Sequence, residues 1–209
     1  MTTDPSARLD GTIAARLPLV LLETVRAIDL PEEILENEDL PASLPRRFGL
    51  SDVVARRITG YEAAARDGKR VPVEEVVDLF RLVIRRPDAR NVLREAGVAF
   101  ARRSLPRFRV GPGLPSFLRR IAARRAARSL LRPVGTPGGR FKVERPLVVR
   151  SPSPFTAAAD DLGTGCAVVT GALDELARTY LRDHQGVTHE RCVKRGDDAC
   201  EWVVSSAED

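Results

Sequence analysis

The stretch Val187-Thr-His-Glu-Arg-Cys-Val-Lys-Arg-Gly-Asp-Asp-Ala-Cys-Glu-Trp202 decides how this chain is read. Two short runs, Val187–Val193 and Ala199–Ser205, flank Lys194-Arg195-Gly196-Asp197-Asp198, a polar, glycine-containing turn of the kind that joins two strands. They predict an antiparallel hairpin. It carries His189, Cys192 and Cys200 in the pattern H-x-x-C-x7-C. The remaining cysteine, Cys166, opens an apolar, helix-like run, Cys166-Ala-Val-Val-Thr-Gly-Ala-Leu173.

Three cysteines and a histidine that converge on one point suit zinc, which prefers thiolate sulfur and imidazole nitrogen in tetrahedral geometry. Four protein ligands leave no open position for catalysis, so such a zinc is structural and ties a helix start to a hairpin. The fourth ligand is the open point. His189 and Cys192 are three apart and face opposite sides of a regular strand. A bulge, or a strand end near Arg191, is therefore needed for His189 to bind; otherwise Glu190 or His184 takes its place. The competing readings are three packed thiols, since free cysteine is commonly buried, and a Cys192–Cys200 disulfide, which a reducing compartment disfavours.

With Gly165-Cys166-Ala-Val-Val-Thr-Gly171, the pattern V-x-H-x-x-C-x-x-x-G-x-x-x-C-x-W from Val187 to Trp202 resembles the 4-vinyl-reductase domain family. That family includes a bacteriochlorophyll-synthesis protein and the sensory domains of phenol- and toluene-responsive activators, and its fold is similar to TRAPP-type subunits. In the aromatic-sensing members three cysteines and a glutamate hold zinc. Cys166, Cys192 and Cys200 match the cysteine spacing, and His189 stands where the family has glutamate. The resemblance covers about Arg145 to Val204. It implies a small-molecule-binding, sensory or regulatory bacterial module more than an enzyme.

The chain's 209 residues fit one large domain or one domain with a helical extension. Hydrophobic content of 43% supports a core, but aromatic content of 5% means that Leu, Val, Ile and Ala must build it. The net charge of +5 permits contact with an acidic surface without requiring one. No apolar run is long enough to span a bilayer. Leu17-Pro18-Leu19-Val20-Leu21-Leu22 lacks the flanks of a signal peptide, so a cytoplasmic protein with reduced thiols is expected.

Residues 1–10 read as a disordered tail, 11–110 as a helical region and 111–209 as an α/β domain with the zinc site. A helix starting near Pro18 has an inner stripe of Leu21, Leu22, Val25 and Ile28. Residues 30–47, with three prolines and an acidic cluster, read as an irregular connection. Three helices follow. Ser51 caps the first, Pro72 with Glu74 and Glu75 starts the second, and the third carries Ala89, Val92, Leu93, Ala96 and Phe100 inward until Pro106. After Gly111-Pro112-Gly113, a basic helix covers about 115–132. Its apolar row is Leu118, Ala122, Ala126 and Leu130, and its basic row is Arg120, Arg124, Arg128 and Arg132. Without interleaved aromatics this row lacks a stacking platform for single-stranded nucleic acid; nucleic acid is not the expected partner.

Strand-like runs then begin at Phe141, residues 157–165 read as a polar loop, and 166–183 as a helix. Helices first and strands late predict an α+β fold: a helical N-terminal half followed by an antiparallel sheet packed on helices, of the 4-vinyl-reductase or TRAPP-like kind the resemblance implies.

The chain carries no dinucleotide fingerprint, no P-loop and no iron–sulfur cysteine set; Gly163-Thr164-Gly165 is too short to count. An enzyme is not expected. The leading expectation is a zinc-stabilised module that binds a hydrophobic or aromatic small molecule between sheet and helices, with Phe100, Phe141, Phe155, Val169, Leu173 and Trp202 as candidate lining. It would signal as a homodimer or to a separate partner. The alternatives are a pure interaction subunit and an accessory or reductase role in tetrapyrrole metabolism.

Overall fold

A computed structural model of the chain describes residues 11–29, 52–106, 115–181 and 184–206. Among these residues the helices are α1 (Arg16–Asp29), α2 (Asp52–Arg66), α3 (Val73–Ile84), α4 (Ala89–Ser104), α5 (Ser116–Leu131) and α6 (Ala167–Tyr180). The strands are β1 (Thr12–Ala14), β2 (Arg70–Pro72), β3 (Lys142–Glu144), β4 (Val148–Ser151), β5 (His184–Arg191) and β6 (Cys200–Ser206). The fold is α+β, with the main sheet late in the chain.

The helices follow their apolar stripes. α3 begins directly after Pro72, carries Glu74 and Glu75 in its first turn, where the helix dipole favours negative charge, and buries Val76, Val77, Phe80 and Val83 on one face. α4 buries Ala89, Val92, Leu93, Ala96 and Phe100 as the periodicity predicts. It stops at Leu105, whose extended backbone suits a residue before proline.

α4 and α6 cross in backbone contact, because each is glycine where the other approaches. A Cβ on Gly97 would sit 2.0 Å from the Val168 carbonyl oxygen, and one on Gly171 would sit 2.0 Å from the Arg94 carbonyl oxygen. Two ion pairs span the crossing, Arg94 to Asp174 at 3.1 Å and Arg102 to Glu175 at 3.0 Å. This crossing fixes the height and direction of α6, and hence the position of its first turn.

The main sheet has the order β3-β4-β6-β5, with every pair antiparallel. β6 is central, and its Trp202 is fully buried between Val149 of β4 and His189 of β5 in register. α6 packs against the β5–β6 hairpin, and one hydrophobic core runs from Ile13 to Val204 through the six described helices and the sheet.

Several local expectations are corrected. Residues 157–165 are not simply a polar loop: two 3-10 turns, Phe155–Ala158 and Thr164–Cys166, bury Phe155, Thr156, Ala157 and Cys166. The last helix ends at Tyr180, short of 183, where Leu181 adopts an extended backbone. In α5 the buried stripe is Arg119, Ala123, Ala126, Ala127, Leu130 and Leu131, while Leu118 is exposed. An Ala- and Arg-rich helix has weak polarity around its axis, and long arginine stems cover apolar surface. In α1 the whole first half, Leu17 to Leu22, is buried and Ile28 is exposed. A second, two-stranded sheet pairs β1 with β2; three-residue strands are too short to show a period. The tail expected at 1–10, the connection at 30–47 and the turn at 111–113 lie outside the described residues.

Candidate metal centre

Four residues converge where the start of α6 meets the β5–β6 hairpin. Cys166 ends the 3-10 turn that leads into α6, Cys192 follows β5, Cys200 opens β6, and His189 lies near the end of β5. All three cysteines are buried and unpaired. The sulfurs of Cys166 and Cys200 are 3.9 Å apart and those of Cys200 and Cys192 3.8 Å apart. A disulfide needs about 2.05 Å. The candidate ligand atoms of all four residues lie within 4.8 Å of one another, so the group could hold a metal ion.

His189 reaches the cluster through a bulge. The β5–β6 register shifts between His189 and Arg191, and β5 ends at Arg191. Arg195 clamps the shifted segment by donating to the carbonyl oxygens of His189 (3.0 Å) and Glu190 (2.8 Å). The extra residue puts His189 and Cys192 on one side and turns Glu190 out to solvent. The imidazole is stacked on Trp202, with ring centroids 4.7 Å apart and planes 12° apart. Its Nε2 is buried and has no hydrogen-bond partner, an arrangement that costs free energy unless something is bound there.

The turn after Cys192 serves the sulfurs. The Cys192 amide donates to Asp197 Oδ2 at 2.7 Å, and the Arg195 amide donates to the Cys192 carbonyl at 2.8 Å. The amides of Lys194 and Val193 favour the thiolate forms of Cys192 and Cys200 respectively. Thr156 lies 3.3 Å from the Cys166 sulfur. Gly163 closes the far side in a left-handed conformation (φ +74°), and a Cβ there would be 2.6 Å from the Cys192 sulfur.

The three thiols do not ionise alike. The hydrogen bond from Cys166 pulls the Cys200 thiol down, with the Val193 amide helping against burial. The same hydrogen bond, together with burial, pushes Cys166 up, and burial pushes Cys192 up. One thiolate is thus favoured, and each further ionisation works against it. A cation at the centre reverses that logic and lets all three be thiolates. A tetrahedron with metal–sulfur bonds of about 2.3 Å has sulfur–sulfur edges of about 3.8 Å, which the observed separations match. The donor set, three sulfurs and one imidazole nitrogen, could therefore hold a metal ion.

His184, the other histidine weighed as a ligand, is engaged elsewhere. Its Nε2–H donates to Asp174 Oδ1 at 2.7 Å. Asp174 is itself buried on α6 and also accepts from Arg94 at 3.1 Å and Arg178 at 2.6 Å. Burial pushes its pKa up, but His184, Arg94 and Arg178 together outweigh burial and hold it below the usual carboxylate range. The network ties α4, α6 and the first residue of β5 together behind the cluster.

Of the residues expected to line a pocket, Phe100, Phe155, Val169, Leu173 and Trp202 are buried in the core. Phe141 is half-buried and borders an open cleft. Sequence reasoning missed Thr156, Gly163, Asp174 and Asp197. Gly163 carried a signal, as one of two glycines just ahead of a helix, but only the fold shows which sulfur it faces. The chain matches no protein-family model, no curated protein and no solved structure.

Proposed function

We propose that this chain is a zinc-stapled binding module whose metal is structural. Cys166, His189, Cys192 and Cys200 would hold one zinc, which supplies a closed coordination shell tying the first turn of α6 to the β5–β6 hairpin. The observation that carries this reading is the buried Cys3His cluster, with sulfurs at tetrahedral spacing and an unpartnered imidazole nitrogen. The resemblance to the 4-vinyl-reductase domain supports the rest: a small molecule with a hydrophobic or aromatic body is recognised, and the signal passes to a separate partner or across a homodimer.

The cluster has no role for a substrate. Its ligands are mutually committed, and a metal with four protein ligands offers neither an activated water nor a Lewis-acid position.

A second reading, an interaction subunit, is favoured by one surface feature. Phe117 is 61% exposed and Leu118 37% exposed. Leu118 lines an apolar groove of about 490 Å³ with Leu105, Ile121 and Tyr180. A thermal-shift screen of zinc-replete protein against aromatics and tetrapyrroles separates the two. Saturable stabilisation by one compound class supports sensing. A flat screen, with a concentration-dependent dimer in ultracentrifugation, supports the interaction subunit instead.

A further inference from the structure

Four arginines from separate parts of the chain line one cleft of about 640 Å³. Arg70 comes from β2, Arg128 and Arg132 from the end of α5, and Arg140 from the approach to β3. Leu131 and Phe141 supply apolar wall, and no Asp or Glu among the described residues lines it.

Two of the guanidiniums are held in position by neutral acceptors. Arg70 donates to Thr12 Oγ1 at 2.9 Å and to the Thr12 carbonyl oxygen. Arg128 donates to the Val143 carbonyl oxygen at 3.2 Å. Neither contact neutralises charge. Elsewhere arginines meet carboxylates, as Arg86 does with Asp29 and Asp88, and Arg150 with Glu201. The helix dipole accounts for cations in the last turn of α5, but not for the convergence of Arg70 and Arg140 from distant segments on the same space.

We propose that this cleft binds a phosphate-bearing small molecule with an apolar body. Guanidinium forks match phosphate oxygens bidentately, and the apolar wall formed by Leu131 and Phe141 takes the remainder. The volume lies within the range of roughly 300–1,000 Å³ usual for small-molecule sites. The inference deepens the binding-module reading by naming a ligand class, and it rests on that reading for its purpose only, because the cleft and the metal cluster share no residue. The two are joined by rings: Phe141 lies 6.0 Å from Trp202, which stacks on His189. Emission from Trp202, the chain's one tryptophan, therefore reports on occupancy of the cleft.

The test titrates 1-naphthyl phosphate and uncharged 1-naphthol into the full chain by calorimetry and tryptophan fluorescence. Metal content is measured on the same samples, so failure of the cleft and failure of the zinc reading are seen separately. The phosphate is expected to bind at least about tenfold more tightly than the naphthol, as one or two charge-assisted hydrogen bonds imply. Arg132→Ala/Arg140→Ala, with an unchanged melting temperature, should remove that difference, and Arg125→Ala on the same helix should not. If the double variant folds poorly, Arg132→Lys/Arg140→Lys keeps the charge, loses the forks, and should still weaken the phosphate severalfold. Equal binding of the two probes, or phosphate binding unchanged in the arginine variants, would overturn the proposal. So would a short DNA duplex that binds more tightly than the phosphate and is lost in the same variants, which would assign the cleft to nucleic acid.

Discussion

The imidazole of His189 lies flat on the indole of Trp202, with centroids 4.7 Å and planes 12° apart, across the register pair that joins β5 to β6. Trp202 is fully buried at the centre of the sheet, so it gives the histidine a fixed plane. A metal ligand gains affinity from such support, because less rotational freedom remains to be lost on binding. Trp202→Phe should therefore lower zinc affinity about tenfold, the low end of the range for residues that orient a ligand. Competition with a chromophoric chelator measures this; unchanged affinity would mean that the stack does not orient the ring.

The choice among three fourth ligands makes its own prediction. His189→Ala should weaken metal binding more than Glu190→Ala or His184→Ala. Glu190 faces solvent beyond the bulge, and His184 is bound to Asp174. Metal affinity of the three variants, measured side by side, checks the ranking. A larger loss from Glu190→Ala would mean that the bulge does not persist in solution.

Gly163 should not tolerate alanine. Its left-handed backbone alone costs an L-residue roughly 1–2 kcal/mol, and the added methyl would meet the Cys192 sulfur at 2.6 Å. Gly163→Ala should lower both thermal stability and metal affinity. Loss of stability with full metal affinity would show that the loop can move away from the sulfur.

Asp174 sets a pH dependence. Its carboxyl is held below the usual carboxylate range in the folded protein, despite burial, by His184, Arg94 and Arg178. A depressed folded pKa means that the contribution to stability is present above the unfolded carboxylate pKa, about 4. It is lost as pH falls through the lower folded value. Asp174→Asn should destabilise the protein at neutral pH and flatten the acid limb of its stability profile. An acid limb of unchanged slope in denaturant titrations would assign the acid sensitivity to other groups.

What the sequence made legible follows from what repeats. The stripe of α3 and the turn between Cys192 and Cys200 each use a local pattern, and local patterns fixed the α+β class and the hairpin. Cysteine is rare here, so three of them near one histidine pointed to the cluster. The bulge that turns His189 inward was needed but not visible, because it depends on Arg195 reaching back to two carbonyls. The rotation of α5 was hidden for a related reason: buried Arg119 and exposed Leu118 invert the usual preference, and only neighbouring elements decide which face turns in. The arginine cleft joins residues 70 and 140, which no periodicity connects.

Three buried thiols and His189 are proposed to hold one zinc. Metal content by mass spectrometry, on untagged protein purified without added zinc, tests it most directly, together with free-thiol counts before and after a chelator. About one zinc per chain is expected, with the thiols of Cys166, Cys192 and Cys200 reactive only after the metal is removed. A protein without metal, whose three thiols titrate freely and whose melting temperature ignores the chelator, would contradict it.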